Sequence, residues 1–323
     1  MAERIINIKD FTVLLLEDSI ENNILPEAIS ADIWIVNHKS AWHVLRFLKK
    51  IIRSSDPRIY LKPVFLQREF KSFYKFNREY NLKQLCDGYI ENLDISKNVI
   101  GIQHIFDFIS ELKKRSGSLY ENNNEHFCRI AYYCYSRQKD IKIFESHDSL
   151  TGYSYPRLEA HFSDRNEAYL KGRRVLREAH KNNFLKREYV DTTHICKKCN
   201  SGFLIYRESC PSCGGHDLQV RSLIHHFRCA YVGPEDEFRK ENHLSCPKCS
   251  AQLRNLAVDY DKPGKIFYCK NEKCGKEFQK PLIAVHCVNC STEQMPYELK
   301  IEKVYQYELT SEAINEIINI KSY

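Results

Sequence analysis

The 323-residue chain has no long hydrophobic run. Its longest apolar stretches, such as Val13–Leu16, fall far short of the ~18 residues that a membrane-spanning helix needs. Mean hydropathy is −0.51. Met1–Asp10 holds no apolar core of a secretory leader, so a soluble, cytoplasmic protein without a membrane partner is expected. Glycine and proline are sparse, at 11 and 10 residues, which excludes a collagen-like chain. With 43% hydrophobic and 28% charged residues the chain is not a disordered one, and it can fill two or three cores. Gly-x-Gly-x-x-Gly and Walker motifs are absent, so nucleotide chemistry has no support in the sequence. Also missing are His-Glu-x-x-His and the His-x-Glu with Pro-Cys-x-x-Cys of zinc deaminases.

What the sequence has in excess is cysteine. Three of its fourteen, Cys86, Cys128 and Cys134, are scattered, and the other eleven fall between Cys196 and Cys290. Cys196/Cys199, Cys210/Cys213, Cys246/Cys249 and Cys287/Cys290 are C-x-x-C pairs, Cys269/Cys274 is a wider pair, and Cys229 follows His226 at the same spacing. A tight turn between two such residues lets both donors reach one ion, and two turns complete a tetrahedral shell. Turn residues sit where they are needed, as in Cys210-Pro211-Ser212-Cys213-Gly214 and Cys246-Pro247-Lys248-Cys249. Eleven cysteines and one histidine make three four-ligand sites with nothing left over. Three Zn²⁺ ions are therefore expected on Cys196, Cys199, Cys210, Cys213, His226, Cys229, Cys246, Cys249, Cys269, Cys274, Cys287 and Cys290. Disulfides would suit a small secreted domain, a redox C-x-x-C would need one pair in a βαβ setting, and an iron–sulfur cluster also takes four cysteines. Zinc outweighs all three.

Spacing leaves the pairing open. The simplest grouping is sequential: Cys196, Cys199, Cys210, Cys213; then His226, Cys229, Cys246, Cys249; then Cys269, Cys274, Cys287, Cys290. A nested grouping joins Cys246, Cys249, Cys269 and Cys274, leaving His226, Cys229, Cys287 and Cys290. It would suit a β-hairpin of Asn255–Asp259 and Ile266–Tyr268 around Asp261-Lys262-Pro263-Gly264. His225 competes with His226 and otherwise stands beside the metal as a supporting group. Full shells leave no position for water, so the metals are expected to be structural.

Upstream, strand and helix alternate. Phe11–Glu17, Asp32–Asn37, Tyr60–Leu66 and Gly88–Ile90 read as strands; Ile20–Ile29, Ala41–Ile52 and Ile102–Leu112 read as helices. Residues 1–118 are thus expected to be an α/β domain with a mostly parallel sheet. It weakly resembles a response-regulator receiver through Glu17-Asp18 and Lys62-Pro63. Asn37-His38 stands where the phosphoacceptor would be, so the expectation is a degenerate, receiver-like domain. In residues 119–193, helices Glu125–Gln138 and Arg165–Lys181 followed by strand Phe184–Val190 give a winged-helix-like pattern. Seven Lys/Arg against one Glu lie between Lys171 and Arg187, so Lys171, Arg173, Arg174, Arg177 and Lys181 are the candidate DNA contacts. The alternative for this face is plain solvation. Tandem zinc ribbons would occupy 194–300, and residues 301–323 would be a tail with a short strand and helix Ser311–Ile320.

From Tyr206-Arg207-Glu208-Ser209-Cys210-Pro211-Ser212-Cys213 onward the zinc region resembles the thaumarchaeal output domain family, a multi-zinc module of prokaryotic signalling proteins. His225-His226-Phe227-Arg228-Cys229-Ala230-Tyr231-Val232-Gly233-Pro234-Glu235, Leu244-Ser245-Cys246-Pro247-Lys248-Cys249 and Val258-Asp259-Tyr260-Asp261-Lys262-Pro263-Gly264 carry the likeness. It covers roughly 120–300. The resemblance implies an output or transmission role beside receiver domains and diguanylate cyclases, with no defined activity. The sequence departs in its wider Cys269/Cys274 spacing and in showing no cyclase after residue 300. The zinc module itself is then expected to be the effector. The overall expectation is a non-enzymatic regulatory or adaptor protein docking a protein partner. The alternatives are a DNA-binding regulator and a metal-dependent enzyme with one open zinc site. The formal charge of +7 argues little for nucleic acid: thiolate-rich zinc sites carry negative charge and would bring it to about +2.

Overall fold

In a computed structural model, residues 4–8, 10–17, 31–67, 82–114, 124–147 and 149–318 are described. Asp18 and the expected helix Ile20–Ile29 lie outside them. The chain forms two compact units, residues 1–193 with 302–323, and residues 194–301.

The first unit starts with a five-stranded sheet in sequential order, β1 (Arg4–Ile8), β2 (Phe11–Leu16), β3 (Ile33–Val36), β4 (Val64–Gln67) and β5 (Gly88–Ile90). β1 is antiparallel to β2, and the other pairings are parallel. The sheet is therefore mixed. Parallel strands are covered on both faces and read as unbroken apolar runs, and all four residues of β3 are buried. Alternation sends Leu14, Trp34 and Leu66 to one face and Val13, Ile33 and Phe65 to the other. Helix α1 (Ala41–Arg53), capped by the Ser40 hydroxyl, covers the first face. The 2-1-3-4-5 order of receiver folds is not reproduced. Lys62-Pro63 precedes β4 rather than ending the last strand, because Pro57–Tyr60 forms a helical turn, α2, with Pro57 in its first turn. The strand expected at Tyr60–Leu66 accordingly starts at Val64.

Helix α3 (Val99–Lys114) contributes Ile102 and Phe106 to the second sheet face, and Ile105, Phe108 and Ile109 to a helical layer. That layer holds α4 (Glu125–Arg137), capped by Asn124 and ended by Gln138 in the left-handed region at φ 50°. The connection onward is not a short turn. It contains the strand pair β6 (Phe144–Glu145) and β7 (Tyr153–Ser154) and the short helix α5 (Pro156–Glu159) before α6 (Arg165–Lys181). Strand β8 (Leu185–Ile195) leads into the second unit. Arginines fasten layer to layer through backbone carbonyls: Arg53 donates to Ala160, Arg129 to Arg53, and Arg137 to Leu61. Arg137 also pairs with Asp87 at 2.9 Å, both side chains almost wholly buried.

The second unit is built from short antiparallel pairings. β9 (Leu204–Ser209) and β10 (Leu218–His226) form its first arm. β11 (Tyr231–Pro234), the turn of helix α7 (Glu235–Phe238), β12 (Arg239–Lys240), β13 (His243–Ser245) and β14 (Gln252–Leu253) make the far end. β15 (Tyr260–Asp261), β16 (Lys265–Cys269), β17 (Glu277–Phe278), β18 (Leu282–Cys287) and β19 (Glu293–Gln294) return. The expected hairpin around Asp261–Gly264 does not form. β15 and β16 both pair with β10, Tyr260 opposite His226 and Cys269 opposite Leu218. The segment between them is a bulge in one returning strand, where Pro263 has no N–H to give to a ladder. β20 (Lys300–Leu309) then pairs with β8, and α8 (Ser311–Ile318) packs Ile317 into the helical layer. Among the described residues no helix is long and apolar enough to cross a membrane.

Candidate metal centres

The twelve donors fall into three groups, each with its ligand atoms within 4.8 Å of one another. The groups are Cys196, Cys199, Cys287, Cys290; Cys210, Cys213, Cys269, Cys274; and His226, Cys229, Cys246, Cys249. Only the last agrees with the sequential grouping, and no group of the nested alternative is formed. The arrangement is concentric: the outermost two knuckles share a site, then the next two, then the innermost two.

Backbone pairing dictates this order. β9 leaves the first knuckle and β18 runs back antiparallel beside it, with Leu204 opposite Cys287 and Ser209 opposite Leu282. The knuckles at one end of this ladder are therefore 196/199 and 287/290, and those at the other end are 210/213 and 269/274. β10 with β16 repeats the pattern one step further along, from Leu218–Cys269 to Ser222–Lys265.

Each C-x-x-C turn is made the same way. The amides of Asn200, Gly214, Ser250 and Ser291 donate back to the carbonyl of the first cysteine of their knuckle, at 2.8–3.0 Å. The amides of Cys196, Cys210, Cys246 and Cys287 donate forward to Ser201, Gly215, Ala251 and Thr292. The residue after the second ligand is left-handed in all six knuckles: Asn200, Gly214, Ala230, Ser250, Gly275 and Ser291, with φ between 53° and 72°. A Cβ costs roughly 1–2 kcal/mol in that region. A Cβ on Gly214 would meet nothing within 4 Å, so only backbone preference is at stake. Gly214→Ala is expected to destabilise the second unit by about 1 kcal/mol, and Ser250→Gly to stabilise it by about 0.5 kcal/mol. Opposite shifts in the thermal midpoint of this unit would check both.

The distances fit one ion per group. Sulfurs facing each other across the groups stand 3.5–3.7 Å apart: Cys196–Cys290, Cys199–Cys287, Cys210–Cys274, Cys213–Cys269 and Cys229–Cys246. A disulfide is about 2.05 Å long, whereas a tetrahedron with 2.3 Å arms has edges of about 3.8 Å. His226 presents Nδ1 to Cys229 Sγ at 3.2 Å and to Cys249 Sγ at 3.5 Å. His225, the competitor, projects from the opposite face of β10, where Asp261 lies 3.3 Å away and Phe227 meets its ring edge-on. His226 is 3% exposed and His225 is in none of the groups.

In each group the first cysteine of a knuckle is prepared to ionise. Burial would raise Cys196, but the N–H groups of Cys199 and Lys198 and the Gln294 side chain outweigh it and bring the thiol to about 6. Cys246 falls to about 6 as the amides of Cys249 and Lys248 overcome its burial, and Cys210 to about 7 through those of Cys213 and Ser212. A cation there would draw the protons from the remaining thiols.

A family model described as Thaumarchaeal output domain 1 matches residues 118–309, more than half of the chain. The chain belongs to that family. The match takes in all three donor groups, and with them α4, α6, β8 and the whole of β20. No curated protein and no solved structure is matched. Of the candidate DNA contacts, which all lie in the family segment, Arg173 is engaged with Glu302 and the Lys303 carbonyl. Lys171 pairs with Glu167. Arg174, Arg177 and Lys181 are exposed.

The scattered cysteines keep away from these groups. Cys86, Cys128 and Cys134 are buried, and burial pushes each up to about 12. They are neutral packing groups.

Proposed function

We propose that this family member is a non-enzymatic regulatory or adaptor protein whose second unit is a zinc-stapled output module docking a protein partner. The observation that carries this reading is the closure of the donor sets. All twelve residues are consumed in three groups of four, and a catalytic zinc keeps a position for water or substrate. Thiolate-rich tetrahedral sets select zinc among divalent ions, and the spacing is that of a single ion rather than of a multi-iron cluster. Each site joined by two knuckles is read as a zinc ribbon. The module's apolar side chains support docking: Ile205, Tyr206, Leu282 and Ile283 on β9 and β18 are 39–52% exposed.

X-ray absorption at the zinc edge of the purified chain tests this. Three zinc ions should show an average shell of sulfur with a minor nitrogen contribution and no water oxygen. An average of about one oxygen per three zinc ions would favour the reading of an enzyme with one open site.

A second reading rests on α6. Arg174, Arg177 and Lys181 are spaced to share one exposed face, and the β8/β20 ribbon beyond α6 fits a winged-helix-like segment. With Arg173 and Lys171 engaged, about three phosphate contacts remain, for a salt slope near −3. Fluorescence anisotropy with duplex DNA from 50 to 200 mM salt reads that slope, and no binding at low salt removes this reading.

A further inference from the structure

A cavity of about 380 Å³ opens in the first unit, between the entry to β5, the end of α4 and the short helix α5. This volume lies within the range of sites for small molecules. Lys83, Lys139, Lys142 and Arg157 line it. Its carboxylates are Asp87, which is spent on Arg137, and Asp140. Among the described residues none of the four cations has a carboxylate at ion-pair distance.

Arg157 is the least compensated. Its guanidinium donates to the carbonyls of Leu85 (2.8 Å) and Tyr60 (3.0 Å) and lies 3.9 Å from the centre of the Tyr133 ring. Its Nε is buried and bonded to nothing. A buried cation is ordinarily met by an anion, whereas Arg157 has these carbonyls and the ring in contact and feels the Asp87 charge only from beyond ion-pair distance. The remaining wall is mostly apolar, with Tyr133, Ile130, Phe144 and Leu158 beside the two neutral thiols of Cys86 and Cys134, and Gln84 and Gln138 as its neutral polar members.

The wall is also held in place. Gln138, left-handed at φ 50°, turns the chain after α4. Ile141 then exchanges two backbone hydrogen bonds with Tyr307, at 2.8 and 3.0 Å. Lys139 and Lys142 are therefore carried on a segment fixed at both ends. Asp87 accepts from the Val64 amide at 2.9 Å and anchors the turn that bears Lys83.

We propose that this cavity binds a small phosphorylated ligand with a flat or apolar body, its phosphate met by Lys83, Lys139 and Lys142 and its body by Phe144 and Leu158. Lysines suit phosphate as mobile point charges, and the face of an aromatic ring suits a flat ligand. The ligand would join residues ahead of the family segment to residues within it, which is where a signal entering the output module would have to pass. The cavity shares no residue with the donor groups, so the zinc reading and this one fail independently.

Isothermal titration of the full chain at low ionic strength with AMP, with GMP and with inorganic pyrophosphate tests it. One nucleoside monophosphate should bind per chain. Binding should weaken at least tenfold in Lys139→Gln/Lys142→Gln, and also in Lys83→Gln, while Lys240→Gln/Lys280→Gln on the exposed surface of the second unit leaves it unchanged. The rim lysines carry the test because Arg157 is too deeply packed to change safely. No saturable binding of either nucleotide, binding of pyrophosphate alone, or equal affinity in the rim variants would each overturn the proposal.

Discussion

Stripping the metal from the purified chain with a strong chelator is expected to unfold residues 194–301 and leave the α/β sheet standing. The two units differ in what holds them. The first has three clusters of buried side chains, with Trp34, Phe47 and Phe65 almost fully enclosed. The second has one small cluster, Ile224, Phe238, Cys246 and Leu253, and several of its strands are only two residues long. So little burial leaves small domains dependent on metal or cross-links. Zinc supplies roughly 10–16 kcal/mol per site in finger peptides, and without a preformed site that binding energy is folding energy. Hydrogen exchange should show amides across 194–301 losing protection. Both tryptophans, Trp34 and Trp42, lie in the first unit, so their emission should stay in place. Protection retained in 194–301 without metal would mean that the module stands on packing alone.

The second large effect is expected at Asp87. Its carboxylate accepts from Arg137 at 2.9 Å and from the Val64 amide, and Arg137 lies over the Tyr133 ring. Burial alone would raise the Asp87 carboxyl. The Arg137 charge and the hydrogen bonds outweigh it and hold the carboxyl below its ordinary value. Asp87→Ala leaves a buried guanidinium unpaired and should cost about 3–5 kcal/mol in the first unit, read as a drop in the denaturation midpoint followed by tryptophan emission. The pH dependence has a definite sign. With the folded-state pKa lowered, this stability is fully present above the unfolded carboxyl value of about 4 and is lost as pH falls below it. Asp87→Ala should flatten that acid limb. A change under about 1 kcal/mol would show that the pair contributes little beyond what it costs to desolvate.

Much of this was legible in the sequence, for physical reasons that can be named. The apolar runs at 11–16 and 33–36 mark parallel strands because both sheet faces are covered, and the spacing of Val44, Leu48, Ile51 and Ile52 gives α1 because one stripe of it is buried. The donors are legible because a metal imposes a fixed spacing on its knuckles. Their partners are not, since pairing is decided by which strands lie side by side. A signal was present nonetheless: residues 200–209 and 275–286 are connectors of similar length between successive knuckles, as the two arms of one ladder require. The hairpin expected at Asp261–Gly264 misled because Pro-Gly marks a break in a ladder as readily as a reversal. Tyr60 misled because Asp56-Pro57 starts a helical turn, its cap accepting from the Arg58 amide at 2.8 Å. The cavity left no mark in the sequence, since Lys83, Lys139 and Arg157 come from three separated segments.

The concentric arrangement of the three donor groups is the centre of this account, and metal counting on paired variants tests it most directly. Native mass spectrometry of the zinc-loaded chain should give three ions. Cys199→Ala/Cys287→Ala removes two ligands of one site and should give two. If the knuckles were instead grouped in sequence order, the same pair of substitutions would damage two sites, and one ion would remain.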